Sequence, residues 1–297
     1  MEETQKTEKQ SWYNKWYKVL FVIPIIIMVL SLIYLGMFYS KHKDIMYRDV
    51  SLSGGTTITL KGDVDSADFE SSLKQNFPDV SFRRLTNLRT GEPIALMIES
   101  SSSPEVLKSA VESELGYNLT SDNSSVEFTG ATLSQGFYKQ LIYALIASFI
   151  LMAIVIFILF RTFIPGAAVL FAVFSDLVIT LAVVDYFGIK LSAAGIAAFL
   201  MLIGYAVDDN ILLTTRALKK KEGPLNKRLY GAFKTGILMT GTALAAIIPV
   251  LLLMGTLPDS FKQIFLILAL GLVADLFNTW LTNVGIIKWY CDKKHID

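Results

Sequence analysis

Six stretches of this chain are long and apolar enough to cross a lipid bilayer, and no other feature limits its fold as strongly. A hydrocarbon core of about 30 Å needs about 20 consecutive apolar residues in a helix. Helix is required because an unpaired backbone group is not tolerated in lipid. The stretches are residues 19–38, 138–160, 164–187, 191–213, 231–254 and 263–287. Composition agrees: 53% of the residues are hydrophobic and 18% charged, against about 25% charged in a soluble domain. The expected fold class is an α-helical membrane protein with six transmembrane helices and a folded α+β domain between the first two.

Charge orients the spans. Lys6, Lys9, Lys15, Lys18, Arg161, the loop from Arg216 to Arg228, and Lys288, Lys293 and Lys294 fall on one side. Lys190, and Lys262 with Asp259, fall on the other. By the positive-inside rule the first side is cytoplasmic. Residues 1–18 are then a cytoplasmic N-terminus and residues 288–297 a cytoplasmic tail, in the cell membrane. Trp12, Trp16 and Tyr17, and the pair Trp289 and Tyr290, stand where interfacial aromatics are expected. Residues 19–38 exceed the apolar core of a signal peptide, and Ser40-Lys41-His42-Lys43 follows in place of a cleavage site, so this segment reads as a retained anchor.

Residues 44–136 are then extracytoplasmic. Thr56 to Leu60 alternates β-branched residues, a strand signal. Asp65-Ser66 caps a helix reaching Phe77, and Val80–Leu85 and Pro93–Glu99 read as strands joined by a turn from Asn87 to Glu92. Ser103 is an N-cap with Pro104 at the first helical position, opening a helix to Leu115, and Ser125–Phe128 is a last strand. The order β-α-β-β-α-β is that of the ferredoxin-like split βαβ. Ser100 to Ser103 reads as loop and cap, with no histidine nearby in sequence. Asn118 and Asn123 begin glycosylation sequons.

Several chemistries have no residues to support them. Cys291 is the one cysteine, and His42 and His295 share no motif, so no catalytic residue, metal site or cofactor is expected. No phosphate-binding GxxxxGK[ST] loop is present, and the cytoplasmic connections leave no room for an ATPase or kinase. The chain reads as a non-enzyme. Work done by it draws on a transmembrane gradient or on a partner.

Polar residues inside the spans carry the functional signal, because each charge at a helix centre costs roughly 2.5–3.5 kcal/mol. Asp176 lies mid-depth in the third span, and Asp208 and Asp209, followed by Asn210, lie in the cytoplasmic third of the fourth. Asp275 lies near the middle of the sixth with Asn278 one turn on; Lys234 lies near the start of the fifth, level with Asp208 and Asp209. A Lys234–Asp contact lowers the cost of both charges. Adjacent helix residues point about 100° apart, so Asp208 and Asp209 cannot both face one neighbour. Two close carboxylates resist joint ionisation, which suits proton uptake and release. Packing by interhelical hydrogen bonds explains the same residues without function. The small residues Ser192 to Ala198, Gly204, Gly236, Gly241 and Ala245-Ala246 need only tight helix packing.

Three motifs carry a resemblance to the SecF family, partners of SecD in protein export and relatives of resistance–nodulation–division exporters. Asp49-Val-Ser-Leu-Ser-Gly54-Gly55 resembles the family's Asp-Phe-x-Gly-Gly at the start of its external domain. Ser175-Asp176-Leu-Val-Ile-Thr resembles its third-helix His-Asp-Val-Ile-Ile-Thr, and Gly204-Tyr205-Ala-Val-Asp208-Asp209 resembles its fourth-helix Gly-Tyr-Ser-Ile-Asn-Asp, which an arginine follows, here Arg216. The resemblance covers 19–289, and the wording after Asp208 looks archaeal. It implies an auxiliary subunit of the Sec translocon, acting with a SecD-like subunit and SecYE on exported polypeptides and coupled to the proton gradient. It implies that Asp209 and Asp176 match the family's intramembrane aspartates, with Asp208 in place of a common Asn and Lys234 near a bacterial Arg. Lipid is the other contact, and nucleic acid has no part.

Two other readings stay open. One is a half-size exporter of small molecules or lipids, which requires a large apolar pocket. The other is a scaffold or sensor, which leaves the intramembrane aspartates inert and lacks a cytoplasmic output domain. Six helices also look like half of a twelve-helix transporter.

Overall fold

Helix forms over most of each apolar run and extends beyond some of them. The computed structural model describes residues 19–62, 64, 67–86, 92–219, 223–252 and 259–295. The expected N-terminal segment with Trp12, Trp16 and Tyr17, the Asp65-Ser66 cap, and the turn from Asn87 to residue 91 lie outside the described residues. Six described helical spans have the length and apolarity to cross a membrane, so the chain is a multi-pass membrane protein. They are α1 (Val22–His42), α5 (Ala131–Phe160), α6 (Phe163–Tyr186), α7 (Ala193–Leu218), α8 (Leu225–Leu252), and α9 (Asp259–Phe277), which continues into α10 (Val284–Lys294).

Hydropathy locates the lipid-facing part of a helix, not its ends. Helix α5 starts at Ala131, ahead of its apolar run, and α8 starts at Leu225. Helices α1 and α5 end with Lys43 and Arg161 in the left-handed conformation (φ 60° and 54°), each turning its N–H back onto the helix. Between α9 and α10 the chain forms a π-helical stretch, Asn278–Asn283, in which the Val284 N–H reaches the Thr279 carbonyl. Such π segments often occur at functional sites.

The domain between α1 and α5 contains α2 (Val50–Ser53), β1 (Gly55–Lys61), α3 (Ala67–Asn76), β2 (Ser81–Thr86), β3 (Pro93–Ser100), α4 (Pro104–Leu115) and β4 (Ser124–Thr129). Its sheet runs β2-β3-β1-β4, with every pair antiparallel. Alternation puts Ile58, Leu60, Leu96 and Ile98 on one face, where they pack with Phe69 and Leu73 of α3 and Leu107 and Val111 of α4. Ser103 stands at the N-cap of α4 with Pro104 following, but its side chain caps nothing. The one-turn helix α2 carries no periodicity long enough to read from sequence.

The domain is tied to the membrane helices at its root. The Asp49 N–H donates to the Leu191 carbonyl at 2.9 Å, and the Leu191 N–H donates to the Tyr47 carbonyl at 2.7 Å. Lys190 Nζ donates to the Asp79 carbonyl at 3.2 Å. The α6–α7 connection therefore docks directly on the domain. Inside the bundle, α7 sits centrally: Ile196, Ala198, Phe199 and Leu202 are buried with Ile267, Leu268 and Leu272 of α9. Gly271 lets Leu202 approach and Gly236 lets Trp280 approach, since a Cβ at either would collide with that side chain.

Candidate functional site

Four aspartates of the spans are buried: Asp176 and Asp185 on α6, Asp209 on α7 and Asp275 on α9 are 0%, 2%, 3% and 1% exposed, with Asp185 at the end of α6, where the Tyr47 N–H lies 3.4 Å from its Oδ1. No salt bridge reaches any of them among the described residues. Neutral donors stand in. Thr240 Oγ1 of α8 donates to Asp209 Oδ2 at 2.5 Å. Asn278 Nδ2 donates to Asp176 Oδ1 at 2.6 Å, and Thr279 Oγ1 donates to Asp275 Oδ1 at 2.7 Å. Asn210 Nδ2 donates to the Ala206 carbonyl at 2.8 Å and lies 3.5 Å from Asp275 Oδ1. Asn283 Nδ2 donates to Asn210 Oδ1, and Ser175 Oγ donates to Asn278 Oδ1 at 3.2 Å. The carboxyls of Asp176 and Asp275 come within hydrogen-bonding reach of each other.

The adjacent pair splits as helix geometry requires. Asp209 faces inward, onto Thr240. Asp208 is exposed, on a stripe of α7 with Met201, Gly204 and Tyr205. Positions 201, 204, 205 and 208 repeat every three or four residues and so share a face. The polar part of the fourth-helix motif is therefore divided between the interior and an uncovered surface.

Lys234 does not supply the expected counter-charge. It is exposed on α8, and no ion pair joins it to Asp208 or Asp209 among the described residues. The reason is rotational: Lys234 is six positions before Thr240, so roughly 120° separates them around the helix axis, and α8 turns Thr240 to Asp209. Arg216, half-buried in the last turn of α7, lies against Gly231, where a Cβ would come within 3.3 Å of its Nη1.

The first motif forms the root of the domain. Asp49 caps α2 through a 2.5 Å bond from the Val50 N–H, and Arg83 Nη2 lies 3.2 Å from Asp49 Oδ2 and 3.3 Å from Glu99 Oε2. Gly54 and Gly55 have φ of 83° and 143°, and a Cβ on Gly54 would sit 2.5 Å from the Ala131 backbone, so glycine is required. Burial, reinforced by Asp49 and opposed by Arg83, pushes Glu99 up to about 7.

Thr240, Thr279 and Asn283 escape a sequence reading, because a threonine or asparagine in a membrane helix signals little until its neighbour is known. Gln263 is missed for the same reason. Its Oε1 accepts from the Ser192 N–H at 3.0 Å and Ser192 Oγ at 2.7 Å, pinning α9 to the start of α7.

Comparison with known proteins agrees with this arrangement. Residues 110–293 match the family described as "Protein export membrane protein SecD/SecF, C-terminal". The chain is 34% identical to the protein-export membrane protein SecF of Methanolacinia petrolearia, over 93% of this chain and 94% of that protein. It is also 34% identical to the SecF of Methanocaldococcus jannaschii, over 92% of this chain and 95% of that one. The crystal structure of SecDF, a translocon-associated membrane protein from Thermus thermophilus, shares the fold with a TM-score of 0.68 at 18% identity. That match covers 93% of this chain and 38% of the SecDF chain. A polytopic bundle with a small sheet domain after its first helix, and inward aspartates on its third, fourth and sixth spans, thus belongs to the SecD/SecF family of protein-export membrane proteins, as a SecF-like export subunit.

Proposed function

We propose that this SecF-like subunit works with a SecD-like six-helix partner beside the SecYE channel, assisting exported polypeptides on the outer side with energy from the proton gradient. It has no catalytic residue of its own. The ferredoxin-like domain, residues 44–136, lies outside the cell membrane, and both termini are cytoplasmic.

The observation that carries the reading is the split of Asp208 and Asp209. Asp209, with a single neutral donor, Thr240, is a carboxyl able to hold or release a proton within the bundle. Next to it, Met201, Gly204, Tyr205 and Asp208 form an uncovered stripe. A charge facing lipid is costly, so this stripe suits a protein neighbour, the place for SecD. Proton passage supplies about 2.3 kcal/mol per charge per 100 mV, and a few charges shift a domain equilibrium fully. The domain root, bonded to the α6–α7 connection, is the route by which helix movement reaches the domain.

Asp209→Asn in membranes holding the whole complex tests this reading. The expected result is slower export that no longer responds to the proton gradient; unchanged kinetics with unchanged gradient dependence removes Asp209 from the coupling. The small-molecule exporter reading gains no support. Two clefts of about 560 and 410 Å³, one between the domain and Lys190 of the α6–α7 connection and one on the domain, are lined largely by polar and charged groups such as Arg48, Asp79, Lys61 and Lys108.

A further inference from the structure

The buried pair Asp176 and Asp275 has a hydrogen-bond count that does not close when both carboxyls are ionised. An ionised carboxylate accepts hydrogen bonds and donates none. Two carboxyls in contact, as these are, therefore need a hydrogen between them. Each Oδ1 is engaged, Asp176 with Asn278 and Asp275 with Thr279, while Oδ2 of each has no donor. Asn278 cannot relieve an ionised pair with its own oxygen, because an amide oxygen only accepts, and here it accepts from Ser175. The charged groups acting on the pair are each other and Asp209, all carboxyls. Two ionised aspartates would thus place two like charges together with only neutral donors around them. One proton converts the repulsion into an O–H···O bond and leaves one acceptor for one donor.

We infer that Asp176 and Asp275 form a carboxyl dyad that holds one shared proton in the middle of the bundle, a proton-binding site separate from the Asp209–Thr240 contact. It joins α6 to α9 immediately before the π-helical stretch, whose Asn278, Thr279 and Asn283 hold the surrounding network. Asn283 keeps a buried Oδ1 without a donor, a further acceptor in the same network. The charge on Asp209 acts on Asp275 directly, so it biases the dyad. This inference goes beyond the export reading and stands on the bundle's geometry; its failure leaves family membership and the role of Asp209 untouched.

Infrared spectroscopy of the full chain in nanodiscs, labelled with [4-¹³C]aspartate, tests it between pH 6 and 8. The expected spectrum contains an isotope-shifted, protonated-carboxyl C=O band that Asp176→Asn with Asp275→Asn reduces by the intensity of one carboxyl. Asp209→Asn is expected to shift that band. An unchanged band in the double variant overturns the dyad. So does loss of the band as Na⁺ is raised at constant ionic strength, which would make the pair a cation site. Should the double variant fail to fold, the unmutated chain still decides: no isotope-shifted protonated band anywhere in this pH range rejects the shared proton.

Discussion

Replacing Glu99 by glutamine should make the stability of the sheet domain nearly independent of pH where the natural chain is strongly dependent on it. Glu99 is 6% exposed, and its carboxyl shares the single guanidinium of Arg83 with Asp49. Burial, then the Asp49 charge, moves it from 4.5 to about 7, with Arg83 acting in the opposite direction. At 1.36 kcal/mol per pH unit this is worth about 3 kcal/mol. The folded domain binds the proton more tightly than the unfolded chain. The contribution is therefore fully present below pH 4.5 and lost as pH rises toward 7. Asp79 acts oppositely, outside this window: despite burial, bonds from Ser101 and Ser100 hold its carboxyl below 3.8, so its contribution is lost only as pH falls below that value.

Hydrogen–deuterium exchange of β1 and β3 in the full chain, corrected for intrinsic rates, reads the effect directly. Between pH 5 and 8 the natural chain should lose protection by roughly a hundredfold, the equivalent of about 3 kcal/mol. Glu99→Gln keeps an acceptor for Arg83 and Ser81 but has no proton to lose, so its protection should stay level. Equal losses in both proteins would show that Glu99 does not control the domain root, and a flat profile in the natural chain would refute the raised carboxyl itself.

Two further outcomes follow from packing. Gly236→Ala drives a methyl into the Trp280 ring and should destabilise the bundle by about 1–3 kcal/mol, whereas Gly241→Ala meets nothing within 4 Å and should be harmless; thermal unfolding followed by tryptophan fluorescence separates the two. Cysteines at Tyr205 or Asp208 should cross-link to a SecD-like subunit in native membranes, while one at buried Ser175 should not, and cross-linking from neither exposed site would remove the α7 stripe from the partner interface.

Much of the architecture is written in local sequence. A bilayer demands long apolar runs, so six spans are visible without tertiary information. Alternation around Thr56 to Leu60 and the Ser103-Pro104 start of α4 declare strand and helix because their signals span only neighbouring residues. The aspartates are visible too, since charge in an apolar run is costly wherever it points. Direction is what sequence leaves open. Asp208 and Asp209 are interchangeable until the packing of α7 against α8 turns one onto Thr240 and the other outward. Lys234 shares their depth, yet the rotation of α8 carries it away. The contact between Asp176 and Asp275 exists only because α6 and α9 pack together across the intervening chain, and the π-helical stretch beside it has no periodicity of its own. Hydropathy and strand alternation are properties of neighbours in sequence. A shared proton requires two side chains from distant helices to meet, and only the packed bundle brings them together.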